Sequence, residues 1–128
     1  MGMKATERQV SDVTILDISG RITLGDGTAL FRNTTRDLIS QGKKKLLLNL
    51  SQVPYIDSSG IAELVSAFVA ARREGGDVKL LKLTKKVRDT VEIVHLGSIF
   101  ELFDDEAAAV KAFAREQNQE PDPLARAS

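Results

Sequence analysis

A strand-to-helix junction lies at Tyr55-Ile56-Asp57-Ser58-Ser59-Gly60. The run 46–50, apolar at four of its five positions, precedes the junction and is typical of a central strand covered on both faces. Apolar residues then recur at helical spacing and predict a helix that ends at Gly75-Gly76. The predicted inner face of this helix consists of Ile61, Leu64, Val65, Phe68 and Val69.

The start of this helix carries two adjacent hydroxyls, where free backbone N–H groups and the helix dipole favour negative charge. A serine in this position has three available roles: helix cap, catalytic nucleophile or acceptor of a phosphate. As a cap, Asp57 or Ser58 would accept hydrogen bonds from the free N–H groups and stabilise the helix by ~1 kcal/mol. Capping alone does not explain two consecutive hydroxyls beside Gly60. Such a small, exposed helix start suits the docking of another protein.

Upstream of the junction, the pattern predicts a hairpin followed by a helix. Residues 3–10 suit an edge strand, and the short polar pair Ser11-Asp12 leads into a stronger strand over 13–18 that ends at Gly20. The loop 24–28 opens a helix to about residue 41, which Gly42 ends. The predicted inner face of this helix consists of Leu30, Thr34, Leu38 and Ile39.

Downstream, the alternation of strand and helix continues. Val78, Leu80, Leu81 and Leu83 predict a buried strand, and a helix follows over about 85–95 with Val87, Val91 and Val94 facing inward. Residues 99–103 predict a short strand. Asp104-Asp105-Glu106 opens a last helix to about residue 117, since acidic side chains are favourable in a first helical turn.

The predicted fold class is α/β, because strand and helix alternate after the initial hairpin. We expect one mixed, mainly parallel β-sheet of about five strands packed against about four helices. Residues 1–116 form this single domain. Residues 117–128 are polar and contain two prolines, so we expect a flexible tail there.

The composition limits the classes of function. The chain has 128 residues, 42% of them hydrophobic, which fits one soluble domain with a core. Lys+Arg and Asp+Glu both number 18, so net charge does not direct the chain to nucleic acid or an acidic membrane. Cysteine is absent, which excludes disulfides and thiolate sites. With no long apolar run and no signal-peptide pattern, we expect a soluble cytoplasmic protein.

Catalysis and metal binding find little support in the sequence. The single histidine, His95, falls at the end of a predicted helix, where a dipole partner or packing role is the simpler interpretation. The serine junction also lacks the elbow motif of α/β-hydrolases. Asp104, Asp105 and Glu106 are adjacent rather than spaced to converge on a metal. We therefore predict no enzyme activity, no cofactor and no metal site.

The arrangement of strand, Asp57-Ser58-Ser59-Gly60, amphipathic helix, Gly75-Gly76 and strand resembles the STAS domain of bacterial anti-sigma factor antagonists. The resemblance runs from about residue 5 to 115 and includes the hairpin that ends at Gly20. It implies a STAS-like fold and a regulatory binding role.

The resemblance also implies a mechanism and partners. In the family, an anti-sigma factor that is a serine kinase phosphorylates the first serine of the motif, here Ser58. The unphosphorylated antagonist binds the anti-sigma factor and releases the sigma factor, the phosphorylated form lets go, and a metal-dependent phosphatase of the PP2C type resets the switch. The partner-binding residues implied here are Asp57, Ser58, Ser59, Gly60, Thr23 and Asp26.

One stretch differs from the family pattern. Sporulation-type antagonists carry an acidic Gly-Glu-Leu-Asp stretch that contributes to kinase contact, whereas this chain has Gly20-Arg21-Ile22-Thr23, with Asp26 as a partial replacement. The partner is then a different anti-sigma kinase or another kind of complex.

Two other functions stay open at this point. One is a STAS subunit of a larger assembly, such as a stress-signalling complex or a lipid or anion transporter. The other is a small enzyme or nucleotide binder that uses the loop Gly25–Thr28, which has glycines before a helix but neither the dinucleotide fingerprint nor the P-loop lysine.

Overall fold

The computed structural model describes residues 2–93 and 96–116. Five strands form one sheet in the order β1-β2-β3-β4-β5, in which β1 and β2 are antiparallel and the other neighbouring pairs are parallel. The strands are β1 Lys4–Val10, β2 Val13–Ser19, β3 Lys45–Gln52, β4 Asp77–Leu81 and β5 Leu102–Phe103. The helices are α1 Asp26–Ser40, α2 Ser58–Arg73, α3 Lys85–Ile93 and α4 Glu106–Glu116, with a 3₁₀ turn at Leu96–Ser98. The predicted α/β class, with its mixed and mainly parallel sheet, is confirmed.

Both faces of the sheet are covered. Strand β3 sends Leu46, Leu48 and Leu50 into the larger core, which α1, α2 and α3 close. Leu47 points the other way, into a smaller core with Phe113 of α4. Side chains alternate along a strand, so a central strand with two covered faces is apolar on consecutive residues.

The inner face of α1 agrees with the prediction at Leu38 and Ile39 and is shifted by one residue earlier in the helix. The buried side chains are Thr28, Phe31, Thr35 and Leu38, whereas Leu30 is 40% exposed. The Thr35 hydroxyl donates to the carbonyl of Phe31 at 3.0 Å, so its polar group is satisfied inside the helix. Threonine can therefore be buried here, and Phe31 takes the central place that the pattern assigned to Leu30.

Other predicted boundaries shift for local reasons. Strand β4 ends at Leu81 because Lys82 adopts a φ of 54°, although Leu83 is buried as expected. Strand β5 is only two residues long, because the chain before it forms the 3₁₀ turn and Phe100 packs edge-on against Phe68 at 5.2 Å. The predicted helix over 85–95 ends at Ile93 in the described part, and Val94, His95 and residues 117–128 lie outside it.

Helix α4 is held against the sheet by charge as well as by Phe113. Arg8 of β1 donates to Asp17 of β2 at 2.6 Å and to Glu106 of α4 at 3.0 Å. These bonds to the Arg8 guanidinium lower the pKa of both Asp17 and Glu106. Both carboxylates are charged at neutral pH and join the first turn of α4 to the antiparallel edge of the sheet.

Lys79 is a fully buried charge under α4. Its ammonium donates to Asp77 at 2.9 Å and to Glu101 at 2.6 Å, and it lies 4.9 Å from the centre of the Phe113 ring. The strand pattern does not predict this burial. It is possible because the ammonium has two carboxylate partners, which a buried charge requires.

Candidate functional site

The candidate site lies at the carboxyl-terminal edge of the parallel strands, where the loops after β2, β3 and β4 meet. Ile22 forms a parallel bridge with Ile56, and the Ile22 N–H donates to the carbonyl of Tyr55 at 3.2 Å. On the other side, the Thr84 hydroxyl donates to the carbonyl of Val53 at 2.9 Å. Open α/β sheets present binding sites at this edge. Helix α2 begins here with Ser58.

Asp57 is the helix cap, which resolves the choice between Asp57 and Ser58. Its backbone is extended, and its Oδ1 accepts from the N–H of Gly60 at 2.9 Å and from the hydroxyl of Ser59 at 2.6 Å. Its Oδ2 accepts from the N–H of Leu24 at 3.0 Å. One carboxylate therefore caps α2 and holds the loop between β2 and α1.

These hydrogen bonds favour the charged form of Asp57. The Ser59 hydroxyl contributes most and the Leu24 N–H next, and together with the N–H groups of the helix start they lower the pKa of the carboxyl. Asp57 is consequently ionised at neutral pH. Any negative group added at Ser58 would lie beside an existing negative charge.

The two serines of the motif have different surroundings. Ser59 is partly buried and its hydroxyl is engaged by Asp57. Ser58 is exposed, and within residues 2–93 and 96–116 its hydroxyl has no hydrogen-bond partner. Ser58 is therefore the hydroxyl that another protein can reach without first breaking an internal bond.

Gly60 allows the helix start to lie directly against the neighbouring loop. A Cβ at this position would lie 2.3 Å from the carbonyl oxygen of Ile22 and 2.5 Å from Cγ1 of Ile56. Gly60 is buried and therefore not itself a contact surface for a partner. Its role is to set the position of Asp57, Ser58 and Ser59 relative to the loop after β2.

Thr23 and Asp26, the two predicted contact residues outside the motif, lie on the loop that Asp57 holds. Thr23 is partly buried, and Asp26 is exposed as the first residue of α1. Both line an open depression of about 310 Å³ together with Gly2, Met3, Arg21, Leu24 and Gly27. The structure thus brings this loop next to the Asp57–Gly60 motif through the Leu24 N–H.

Three further residues at this edge, Leu24, Arg21 and Lys86, were not predicted as contact residues. Leu24 is 80% exposed although it is large and apolar. The Arg21 guanidinium lies 5.9 Å and the Lys86 ammonium 5.1 Å from the centre of the Tyr55 ring. Arg21 belongs to the stretch Gly20-Arg21-Ile22-Thr23, whose departure from the acidic family pattern was the signal in the sequence. Lys86 is contributed by a helix 31 positions after Tyr55 and gives no signal in the sequence.

Between residues 2 and 116, leaving out 94 and 95, the acidic and histidine side chains form no cluster of three that could hold a metal ion. In the same ranges, every helix is too short or too polar to cross a bilayer.

Comparison with known proteins identifies the family. A sequence model of the STAS domain matches residues 4–109. BtrV of Bordetella bronchiseptica, which is named as a candidate anti-sigma factor antagonist, is 25% identical over 111 residues that cover 87% of this chain and 95% of BtrV.

Solved structures share the fold. The crystal structure of a candidate anti-sigma factor antagonist from Thermotoga maritima gives a TM-score of 0.81 at 24% identity and covers 86% of this chain and 94% of that one. Phosphorylated SpoIIAA of Bacillus gives 0.68 at 17% identity, with 85% and 98% covered. Unphosphorylated SpoIIAA gives 0.67 at 15% identity, with 91% and 100% covered. With the family match extending over most of its length, this chain belongs to the STAS domain family.

Proposed function

We propose that this chain is an anti-sigma factor antagonist, a binding module and not an enzyme, which an anti-sigma factor serine kinase switches off by phosphorylating Ser58. The names of BtrV and SpoIIAA support the general role, and SpoIIAA has both a phosphorylated and an unphosphorylated structure. The proposal for this chain is supported by the exposed hydroxyl of Ser58, which has no hydrogen-bond partner in the described residues, beside the engaged hydroxyl of Ser59.

The chemical step belongs to the partner. The Ser58 oxygen attacks the γ-phosphorus of ATP bound to the kinase, the hydroxyl proton is lost to the kinase or solvent, and ADP leaves. A PP2C-type phosphatase reverses the modification by adding water across the phosphate ester, which returns the hydroxyl and releases inorganic phosphate. In this chain, Asp57 and Gly60 hold Ser58 in place at the first residue of α2.

The phosphate would change binding more than folding. It adds roughly −1.5 to −2 charges at neutral pH. Within the domain, the positive end of the α2 dipole offsets part of the repulsion from Asp57. In an interface that fits a neutral hydroxyl, the same group adds bulk, repulsion and the cost of desolvation. A loss of a few kcal/mol corresponds to about a 100-fold weaker complex.

The test begins with protein recovered from its own cells, by intact mass and peptide mapping. We expect a phosphate on Ser58, its absence from Ser58→Ala protein, and recovery of an ATP-binding kinase with the unphosphorylated form. Phosphate on Ser59 instead, or no phosphate and no kinase under every growth condition, would contradict the proposal. Stable co-purification with a larger assembly, unaffected by Ser58→Ala, would instead favour a STAS subunit of that assembly.

A matched pair of variants separates the switch from a general effect of charge. We expect Ser58→Asp to keep the far-UV circular dichroism and unfolding midpoint of wild type while its affinity for the recovered kinase falls by about 100-fold or more. Ser40→Asp adds the same charge at the exposed end of α1, at the opposite edge of the sheet, and should bind as wild type does. Equal affinity of Ser58→Asp and wild type would refute the switch.

A further inference from the structure

Two cations flank a single aromatic ring next to the switch. The Arg21 guanidinium and the Lys86 ammonium lie 5.9 Å and 5.1 Å from the centre of the Tyr55 ring. Both side chains belong to exposed residues on different elements, Arg21 just after β2 and Lys86 in the first turn of α3. A cation over a tyrosine face gains only ~0.5–1 kcal/mol at an exposed site, so the ring positions these charges without neutralising them.

The two cations lack carboxylate partners, unlike other cations nearby. Lys85 pairs with Asp89 at 3.0 Å, and Arg88 pairs with Asp104 at 3.1 Å. In the part of the chain that the structure describes, neither Arg21 nor Lys86 forms an ion pair. Their charges remain available to a partner.

The carboxylates at this edge do not compensate them. Asp57 directs both oxygens inward, to the N–H groups of Gly60 and Leu24 and the hydroxyl of Ser59. Asp26 is exposed and lines the same depression as Arg21, but in the described residues the two form no ion pair. The surface around Tyr55 is therefore cationic beside the apolar, 80% exposed Leu24.

The switch lies close enough to affect this charge. Tyr55 is three residues before Ser58, which limits the separation of their Cα atoms to about 11 Å. The Debye length at physiological ionic strength is about 8 Å, so a phosphate on Ser58 would act on the charges near Tyr55 through partial screening.

We propose that Arg21 and Lys86 are the electrostatic docking element for an acidic surface of the anti-sigma factor, and that phosphate on Ser58 weakens binding by cancelling their charge. This inference rests on the proposed function and deepens it. Leu24, whose N–H donates to Asp57, supplies an apolar contact beside these two cations. The partner of this chain is thus acidic where it contacts Arg21 and Lys86, unlike a kinase that binds the acidic Gly-Glu-Leu-Asp stretch at the same place.

Affinity measurements with the recovered kinase test the charges directly. We expect Arg21→Gln and Lys86→Gln each to weaken binding of the unphosphorylated protein by about tenfold, and the double variant to lose most of the salt dependence seen between about 50 and about 300 mM NaCl. Lys85→Gln is the matched control, because it removes the same charge at the position next to Lys86. The Lys85 side chain is 90% exposed and paired with Asp89. It should bind within about twofold of wild type.

The outcomes separate this inference from the proposed function. A kinase that phosphorylates Ser58 but binds Arg21→Gln and Lys86→Gln as tightly as wild type would overturn the docking element and leave the switch intact. Equal loss in Lys85→Gln would also overturn it, because the effect would then be one of net charge. Binding of a 20-base-pair DNA duplex or of phosphatidylserine vesicles, lost in the double variant while kinase affinity is unchanged, would assign the cations to those polyanions instead.

Discussion

Gly60→Ala tests whether the start of α2 lies as close to the loop after β2 as the structure has it. The added Cβ would lie 2.3 Å from the Ile22 carbonyl oxygen and 2.5 Å from Cγ1 of Ile56. A real Cβ keeps about 3.0 Å from such atoms, so the helix start and the loop must separate. The same carbonyl accepts the Asp57 N–H at 3.4 Å, and the Ile22 N–H donates to Tyr55 at 3.2 Å.

The size of the effect follows from opposing terms. Overpacking a tight contact costs about 1–3 kcal/mol, and loss of a backbone hydrogen bond adds about 1 kcal/mol. Alanine is the better helix former by about 1 kcal/mol, which offsets part of this cost. We expect Gly60→Ala to lower the free energy of unfolding by about 2 kcal/mol and the melting temperature by roughly 5–10 °C.

Urea unfolding followed by far-UV circular dichroism measures this change, with the midpoint compared at a common slope. Gly97→Ala is the matched control, since a Cβ there meets no atom of the described residues within 4 Å, and its stability should stay within about 0.5 kcal/mol of wild type. A Gly60→Ala protein as stable as wild type, or more stable, would refute the close approach and with it the reason for glycine at this position.

Three other perturbations test the charges around the fold and the site. Arg8→Ala should lower the free energy of unfolding by about 1 kcal/mol and raise the pKa of Asp17 and Glu106 in an NMR titration. It should also speed hydrogen exchange in α4, and unchanged exchange there would show that Arg8 does not hold α4 to the sheet. Lys79→Met should cost about 3 kcal/mol in urea unfolding because it leaves carboxylates without their buried partner, and a neutral result would show that packing outweighs the ion pairs. Asp57→Ala should cost about 1 kcal/mol at pH 7 through loss of the cap. The pKa of Asp57 is lowered in the folded state, so the stability that Asp57 contributes is complete above its unfolded pKa of about 3.9 and is lost as pH falls through the folded pKa. The difference in stability between Asp57→Ala and wild type should therefore shrink in acid. A difference that stays constant with pH would contradict this sign.

Much of the architecture is encoded locally. The consecutive apolar residues of β3 predicted a strand with two covered faces, and the structure shows α1, α2 and α3 on one face and α4 on the other. The serine motif predicted the start of α2, which begins at Ser58. On the inner face of α1, Leu38 and Ile39 were predicted correctly, and the earlier positions were wrong by one residue. Thr28 and Thr35 can be buried with Phe31 because their hydroxyls donate to backbone carbonyls.

Residues far apart in sequence account for what the pattern missed. The alternating pattern of β4 predicts an exposed side chain at Lys79. Lys79 is buried because Phe113 covers its ammonium and Glu101 pairs with it, and both belong to segments more than 20 residues away. Lys86 joins Arg21 at the Tyr55 ring for the same reason, since the loops after β2, β3 and β4 converge at one edge of the sheet.

Periodicity and turn residues were sufficient to predict the class of fold and the order of elements, because each depends on neighbours within a few positions. The difference between the two serines required the folded chain. The Ser59 hydroxyl donates to Asp57 Oδ1 at the start of α2, whereas the Ser58 hydroxyl has no partner among the described residues. The residue types mark both hydroxyls alike, and only the folded geometry of the turn distinguishes them.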